Sequence, residues 1–366
     1  VSASRREPLK PGDIIGILGG GQLGRMLALA AARLGLKSQV FSPDPDSPAF
    51  DVVQNATCAE YADVEALEAF ASEVDVITYE FENVPASAAL VLAARKPVLP
   101  DHTILETTQD RLAEKDFVTR LGIGTAGYAD VTSPQTLRDA VARLGLPAVL
   151  KTRRFGYDGK GQMMLRPGDD PEAAWASLET RAAILEAFVP FEREISVIAA
   201  RGADGQVVSY DVTENEHRDH ILKISKAPAA IPDAVADEAR RIAKTIADAL
   251  GYVGVLGVEM FVVPGADGPQ VLVNEIAPRV HNSGHWTLDG ASVSQFEQHI
   301  RAIAGWPLAE PLRHGTVTMT NLIGDDVHDY AGWLTVPGAT VHLYGKRLAM
   351  PGRKMGHVTV VDPGKP

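Results

Sequence analysis

Apolar and polar positions along the chain fall into blocks that read as alternating strands and helices. Ile14-Ile15-Gly16-Ile17-Leu18 is a short apolar run of strand composition. A helix is predicted over about 23–34, stopped by Gly35, and a second strand from Lys37 to Phe41. That order is a βαβ start. Strands are further predicted at Val74-Asp75-Val76-Ile77-Thr78-Tyr79 and Pro97-Val98-Leu99, with a short helix over about 64–71. The N-terminal segment therefore reads as a small parallel sheet.

A second unit begins near Asp110-Arg111. It runs through a strand at Ala148-Val149-Leu150-Lys151, a glycine-rich turn, a strand at Ala183-Ile184-Leu185-Glu186, a hairpin about Gly202-Ala203-Asp204-Gly205 and an alanine-rich helix over about 234–250. Two β-rich runs, Val255 to Val263 and the one containing Val271-Leu272-Val273, flank Pro264-Gly265-Ala266-Asp267-Gly268-Pro269 as a hairpin. A helix over about 293–304, the pair Trp306-Pro307 and short Gly- and Pro-rich β pieces follow. The expected division is an exposed tail over 1–13, a Rossmann-like domain over 14–109, a central domain over 110–304 and a small β-rich domain over 305–366. The fold class is α/β and α+β.

The late hairpin carries the first chemical signal. A one-residue register choice places Glu259 opposite either Asn274 or Glu275. Like charges directly across an antiparallel pair repel, so two glutamates in an apolar hairpin call for a cation. Carboxylates on a hard-cation site suit Mg²⁺ carrying phosphates. The polar stretch from Asn274 to Trp286, containing Arg279, His281, Asn282 and His285, follows the strand end directly. Strand ends are where open α/β folds present chemistry.

Composition narrows the options. The 366 residues carry a formal net charge of −12, which disfavours nonspecific binding to nucleic acid or to an anionic membrane surface. Any phosphate site must be local. No stretch approaches the roughly 18 apolar residues of a membrane span. The one cysteine, Cys58, excludes an internal disulfide and a structural zinc cluster, which fits a cytoplasmic protein.

Two glycine-rich segments compete for the phosphate. Gly19-Gly20-Gly21-Gln22-Leu23-Gly24 matches G-x-G-x-x-G after a strand, with Asp44 beyond the second strand. Taken literally, this predicts a dinucleotide oxidoreductase with pyrophosphate on the helix N-terminus; another phosphate or tight packing would use the same glycines. Lys151-Thr152-Arg153-Arg154-Phe155-Gly156-Tyr157-Asp158-Gly159-Lys160-Gly161-Gln162 combines cations with free backbone N–H groups and suits a polyphosphate. It is not a Walker A loop, because Lys160 is followed by glycine. Glu186 and Glu194 stand at strand ends, where adenine or ribose donors can reach them. Asp110-Arg111 and Lys115 read as a solvated helix face, and His217 is ambiguous.

Together, a lysine ending a strand, a glycine-rich loop, a strand-end acid pair and a late Glu followed by Asn-Glu resemble the ATP-grasp superfamily. More narrowly, the chain resembles the N5-carboxyaminoimidazole ribonucleotide synthetases, ATP-dependent carboxylases of purine biosynthesis. The residues carrying that likeness are Gly19 to Met26, Tyr79-Glu80-Phe81-Glu82-Asn83, Gly156 to Gly161, Asn274 to Trp286 and Pro351 to His357. The resemblance implies an ATP-grasp architecture with an N-terminal Rossmann-like sheet and a small C-terminal β-rich domain. It implies ATP contacts from Arg111, Lys151, Gly156, Gly159, Gly161, Gln162, Glu186, Glu194, His217, Asn274 and Glu275, with Glu259 and Glu275 on Mg²⁺. Aminoimidazole ribonucleotide would lie by Gly21, Gln22, Leu23, Glu80 and Asn83, its phosphate on Lys346, Arg353 and Lys354. Arg279, His281, Asn282 and His285 would form a region for bicarbonate and substrate, and Tyr157, Asp158 and Lys160 would close over the reacting amine. Tyr157, Asp158, Lys160, Arg279 and Lys354 are the implied catalytic set.

The implied reaction forms carboxyphosphate from bicarbonate and ATP, then carboxylates the amine; a homodimer is implied. Two departures stand out. Phe155 precedes Gly156 where the family commonly has glycine, which predicts a stiffer loop. Relatives usually continue into a helix after the strand 357–361, so the expectation is a short member or a trimmed sequence. A formate-using glycinamide ribonucleotide transformylase, an oxidoreductase using NAD and a noncatalytic nucleotide-binding module are the alternatives.

Overall fold

Four parallel strands open the computed structural model, which describes residues 7–156, 160–266 and 268–364. They are β1 (Ile14–Leu18), β2 (Lys37–Ser42), β3 (Asn55–Cys58) and β4 (Val76–Tyr79), in the order β3-β2-β1-β4. Helix α1 (Gln22–Arg33) buries Leu23, Met26, Leu27 and Ala31, a helical spacing that lays one apolar stripe on the sheet. Pro97-Val98-Leu99 does not form a strand of its own. It makes one parallel bridge, Val98 to Ile77, because Pro97 and Pro100 on either side have no N–H to extend a ladder.

The described residues form two further sheets. The smaller is antiparallel, built from β5 (Tyr128–Val131), β6 (Ala148–Thr152), β7 (Gln162–Leu165) and β8 (Ala183–Ala187) in the order β5-β8-β6-β7. The larger holds β9 (Arg193–Arg201), β10 (Val207–Ser209), β11 (Thr213–Arg218), β12 (Ile221–Ala227), β13 (Gly254–Val263), β14 (Gln270–Ala277), β15 (Thr316–Ile323), β16 (Ala339–Leu343) and β17 (Lys354–Asp362). Its order is β14-β13-β9-β11-β12-β15-β17-β16, with β10 beside β9. The C-terminal strands continue this sheet, since Ile224 to Ala227 of β12 pair with Thr320 to Val317 of β15.

Both faces of the large sheet are covered, which is why its central strands read as unbroken apolar runs. On one face Ile195, Val197, Leu256 and Val258 pack against Ala239, Ile242 and Ile246 of the helix Asp233–Ala249. On the other, Ile198 and Ala200 meet Phe296, Ile300 and Ile303 of the helix Gln295–Ala304. Each of these buried Ile, Leu, Val and Phe side chains contributes about 1.5–3 kcal/mol. No helix among the described residues is long and apolar enough to cross a membrane.

Candidate active site

A cleft of about 740 Å³ opens between the small sheet, the hairpin β13–β14 and the N-terminal glycine turn. The hairpin resolves the register question in an unexpected way, because both registers occur. Val263 pairs with Gln270 and Met260 with Val273, but Glu259 pairs with Glu275 and Val258 with Ile276. A bulge at Asn274 separates them. Opposed residues share a face of an antiparallel sheet, so the extra residue brings the Glu275 side chain to the face of Glu259.

Buried polar groups hold that bulge. The Lys115 ammonium donates to the carbonyls of Asn274 (2.8 Å) and Val273 (3.4 Å) and to Thr125 Oγ1 (2.8 Å). Lys115 is only 2% exposed, so it is not part of a solvated helix face. Its neighbour Glu114 lines the cleft and accepts from Ile276 N–H at 3.1 Å. Burial and the nearby charge of Glu275 push the Glu114 carboxyl up to about 8. Sequence reasoning missed both as parts of the site.

Arg111 reaches Glu275 Oε2 at 3.1 Å from the first turn of the helix Arg111–Arg120. Asp110 caps that helix through Leu112 and Ala113 N–H and takes Arg153 as a two-pronged partner. Burial would raise the Glu259 carboxyl, but the His281 hydrogen bond and the fields of His217 and Lys354 outweigh it and hold it down at about 2.

At the other end of the cleft, Lys151 Nζ on β6 lies 3.0 Å from Glu186 Oε2 on β8. Burial opposes ionisation of Glu186, yet Lys151 and Lys115 bring its carboxyl down to about 2. Its second oxygen, Oε1, is buried without a hydrogen-bond partner. Phe188 and Phe191 also line this end, Phe191 stacked on Phe261 at 4.6 Å. His217 Nδ1 pairs with Glu194. Lys160 and Gln162 line the cleft, the Gly156 carbonyl accepts from Arg111, and Gly161 takes a positive φ of 70°. Tyr157, Asp158 and Gly159 lie outside the described residues.

The glycine turn departs from the dinucleotide pattern. Glu80 accepts from Gly21 N–H (2.6 Å) and Gly24 N–H (3.0 Å), so a carboxylate of the protein itself fills the helix N-terminus that a pyrophosphate would need. A Cβ at Gly21 would stand 2.5 Å from Glu80 Oε1, and one at Gly19 2.4 Å from Glu80 Cγ. These glycines admit Glu80. Gln22, Leu23, Glu80 and Asn83 line the cleft beside them.

The polar stretch after β14 divides. Arg279 is half-buried against Glu82, whose carboxyl Arg279 lowers to about 2 although desolvation opposes it. His281 lines the cleft with both ring nitrogens engaged, by Glu259 and Ser283. Asn282 forms a reciprocal amide pair with Asn321. His285 does not reach the cleft: it is fully buried, takes a hydrogen bond from Gln295 and packs on His357 and Phe296. Lys354 lines the cleft, whereas Lys346 and Arg353 are not among its lining residues: the Lys346 ammonium donates to the Lys354 carbonyl and Arg353 donates to the Leu348 carbonyl at the surface.

A bulged carboxylate hairpin facing a lysine-bearing antiparallel sheet defines an ATP-grasp ligase, and an ATP-grasp domain model matches residues 116–296. A ribonucleotide synthetase preATP-grasp domain matches 13–109, and a phosphoribosylaminoimidazole carboxylase C-terminal domain matches 317–365. The N5-carboxyaminoimidazole ribonucleotide synthase of Brucella melitensis is 52% identical over 357 residues, 97% of this chain and 98% of the relative. An ADP complex of N5-carboxyaminoimidazole ribonucleotide synthetase shares the fold with a TM-score of 0.93 and 41% identity, covering 98% of this chain and 94% of that one. The N5-carboxyaminoimidazole synthase of Aspergillus clavatus, in complex with ADP and 5-aminoimidazole ribonucleotide, gives 0.89 and 33% over 96% and 94%. The chain belongs to the N5-carboxyaminoimidazole ribonucleotide synthetase family, ATP-dependent ligases that carboxylate aminoimidazole ribonucleotide in purine biosynthesis.

Proposed function

We propose that this cleft binds ATP between the two antiparallel sheets and aminoimidazole ribonucleotide beside the glycine turn. The observation that carries the reading is the pairing of Glu259 with Glu275 on one face of the hairpin. The described residues contain no group of three or more His, Cys, Asp or Glu that could hold a metal. Two carboxylates nonetheless fit Mg²⁺, which keeps several waters and substrate phosphates in its octahedral shell. Glu259 and Glu275 would hold the ion, and its chemistry is to neutralise the phosphate oxygens.

Glu186 has an acceptor to spare in Oε1, suited to an adenine amine, with Phe188 and Phe191 as apolar walls. Lys151, Arg111, Glu194, His217, Gly156, Gly161, Gln162 and Asn274 complete the nucleotide end. Bicarbonate oxygen attacks the γ-phosphorus and ADP leaves, giving carboxyphosphate. Phosphoryl transfer asks chiefly for positioning and charge neutralisation, so no protein nucleophile is required. Arg279, held rigid by Glu82, and Lys354 supply the positive charge for bicarbonate. The ribonucleotide amine then takes the carboxyl carbon as the C–O bond to phosphate breaks and inorganic phosphate leaves, the amine proton passing to Asp158, with Tyr157 and Lys160 excluding water.

A homodimer acting in the cytoplasm is part of the proposal, supported by the family likeness and tested by sedimentation and fractionation. The decisive assay is ADP release, which should require both bicarbonate and aminoimidazole ribonucleotide. Turnover supported by formate and glycinamide ribonucleotide would overturn the reading.

A further inference from the structure

The bulge in the hairpin decides which way Glu275 points. Val273 pairs with Met260 and packs in the same apolar core under the helix Asp233–Ala249, so a regular ladder would carry Glu275 into that core and Ile276 to the opposite face. The extra residue reverses both. Glu275 joins Glu259 on the cleft side, and Ile276 joins Val258 in the core. Apolar burial of Val273 and Ile276 thus sets the register, but it does not set the path of the backbone through the bulge, where the ladder is broken.

That path is held from the other edge. β14 ends the order of its sheet, so the backbone groups on its outer edge need partners from elsewhere. Val273 N–H donates to the Gly124 carbonyl (2.8 Å) and Ile276 N–H to Glu114 Oε2 (3.1 Å). Between them, the consecutive carbonyls of Val273 and Asn274 both accept from the Lys115 ammonium, at 3.4 and 2.8 Å. In a regular strand consecutive carbonyls point to opposite edges, so this double contact belongs to the bulge. Thr125 Oγ1 braces it, accepting from Lys115 at 2.8 Å and donating to the Val273 carbonyl at 2.9 Å.

From this geometry we propose that Lys115 is a positioning residue for the metal site, acting through Glu275. The inference rests on the reading of Glu275 as a metal ligand. The Asn274 carbonyl belongs to the planar peptide unit that leads into Glu275, so pinning it fixes the plane from which the carboxylate departs. Arg111 then holds the far end of the same side chain, at Oε2. Lys115 itself is 2% exposed and is not among the residues that line the cleft. It also stands 3.7 Å from Glu186 Oε2, so its loss would disturb the nucleotide end as well, and the test must read coupling to Glu275 rather than affinity for nucleotide. Partners behind metal ligands typically contribute about 10–100-fold in metal affinity.

Mn²⁺ binding to the full-length protein in the presence of ADP, read by electron paramagnetic resonance, tests the link through a double-mutant cycle. Lys115→Met removes the donors from an unbranched buried chain and should weaken Mn²⁺ about 10-fold. Glu275→Gln should cost about 10-fold or more in the wild type but less than about threefold in Lys115→Met, because a ligand already out of place has little left to lose. Glu259→Gln, on the strand that Lys115 does not hold, should cost the same in both backgrounds to within about twofold. A general loosening of the fold would not single out Glu275. Thermal melting checks that each variant is folded. If Lys115→Met is not, Thr125→Val, which removes the hydroxyl between Lys115 and the Val273 carbonyl, takes its place in the cycle and should again reduce the penalty of Glu275→Gln. An equal penalty for Glu275→Gln in both backgrounds would overturn the proposal. Unaltered Mn²⁺ affinity in Glu275→Gln alone would instead refute the ligand assignment beneath it.

Discussion

Glu275 stands directly across the hairpin from Glu259 only because Asn274 is left out of the pairing. Like charges so placed cost a few tenths to about 1 kcal/mol, and Arg111 at 3.1 Å offsets part of that on the Glu275 side. Glu275→Gln removes the repulsion and weakens the ion pair together. Its stability should therefore change by less than about 1 kcal/mol, while ADP release falls at least about 100-fold for want of a ligand to Mg²⁺. Thermal melting and the coupled ADP assay read the two separately. Substantial residual turnover would remove Glu275 from the proposed metal site.

The half-buried pair of Arg279 and Glu82 predicts an acid-sensitive stability. Burial raises the Glu82 carboxyl, but the Arg279 charge and hydrogen bond bring it down to about 2, below its ordinary value. A depressed carboxyl contributes stability that is complete above the unfolded pKa and disappears as pH falls through the folded one. The loss should run from about pH 5 to pH 2. With Glu82 about a quarter exposed, the contribution is on the order of 2 kcal/mol at neutral pH. Urea unfolding of Glu82→Gln should show a deficit of that size at pH 7 that shrinks on acidification. A deficit independent of pH would mean that the carboxylate charge is not the cause.

What the sequence discloses and what it withholds separate cleanly at long-range contacts. The carboxylate hairpin is legible because β-composition, a Pro-Gly loop and two glutamates all lie within one short segment. Its bulge is not, since the ammonium that holds it, Lys115, comes from 159 residues away. Polar density marks Asn274 to Trp286 as a site, yet Asn282 pairs with Asn321 while lining the cleft, and His285 is buried away from it with Nδ1 on Gln295, partners invisible to local pattern. Lys115 looks solvated because its helix neighbours are charged; only packing under β14 and β8 buries it.

The glycine turn gives a prediction of the same kind. Glu80 satisfies Gly21 and Gly24 N–H with its two oxygens, one each. Glutamine has one carbonyl oxygen and presents N–H to the other amide, so Glu80→Gln should destabilise the protein by about 1–3 kcal/mol. The same occupancy leaves no room for a pyrophosphate, and NADH fluorescence should not change on titration with the protein. Saturable NADH quenching would contradict the geometry.

Phe155 supplies the last prediction. Its φ is 62°, in the left-handed region, and its side chain is 71% exposed. An L-residue held there costs roughly 1–2 kcal/mol, which glycine avoids. The exposed ring contributes little packing to set against that cost. At an ordinary position glycine is less stable than alanine by about 0.5–1 kcal/mol, because it gives up more freedom on folding. Here the order should invert. Phe155→Gly should be more stable than Phe155→Ala by about 1 kcal/mol in urea unfolding, the strain relief exceeding the entropy cost. If alanine proves the more stable of the two, the left-handed conformation at 155 does not hold in solution, and the expected stiffening of the loop by a non-glycine residue falls with it.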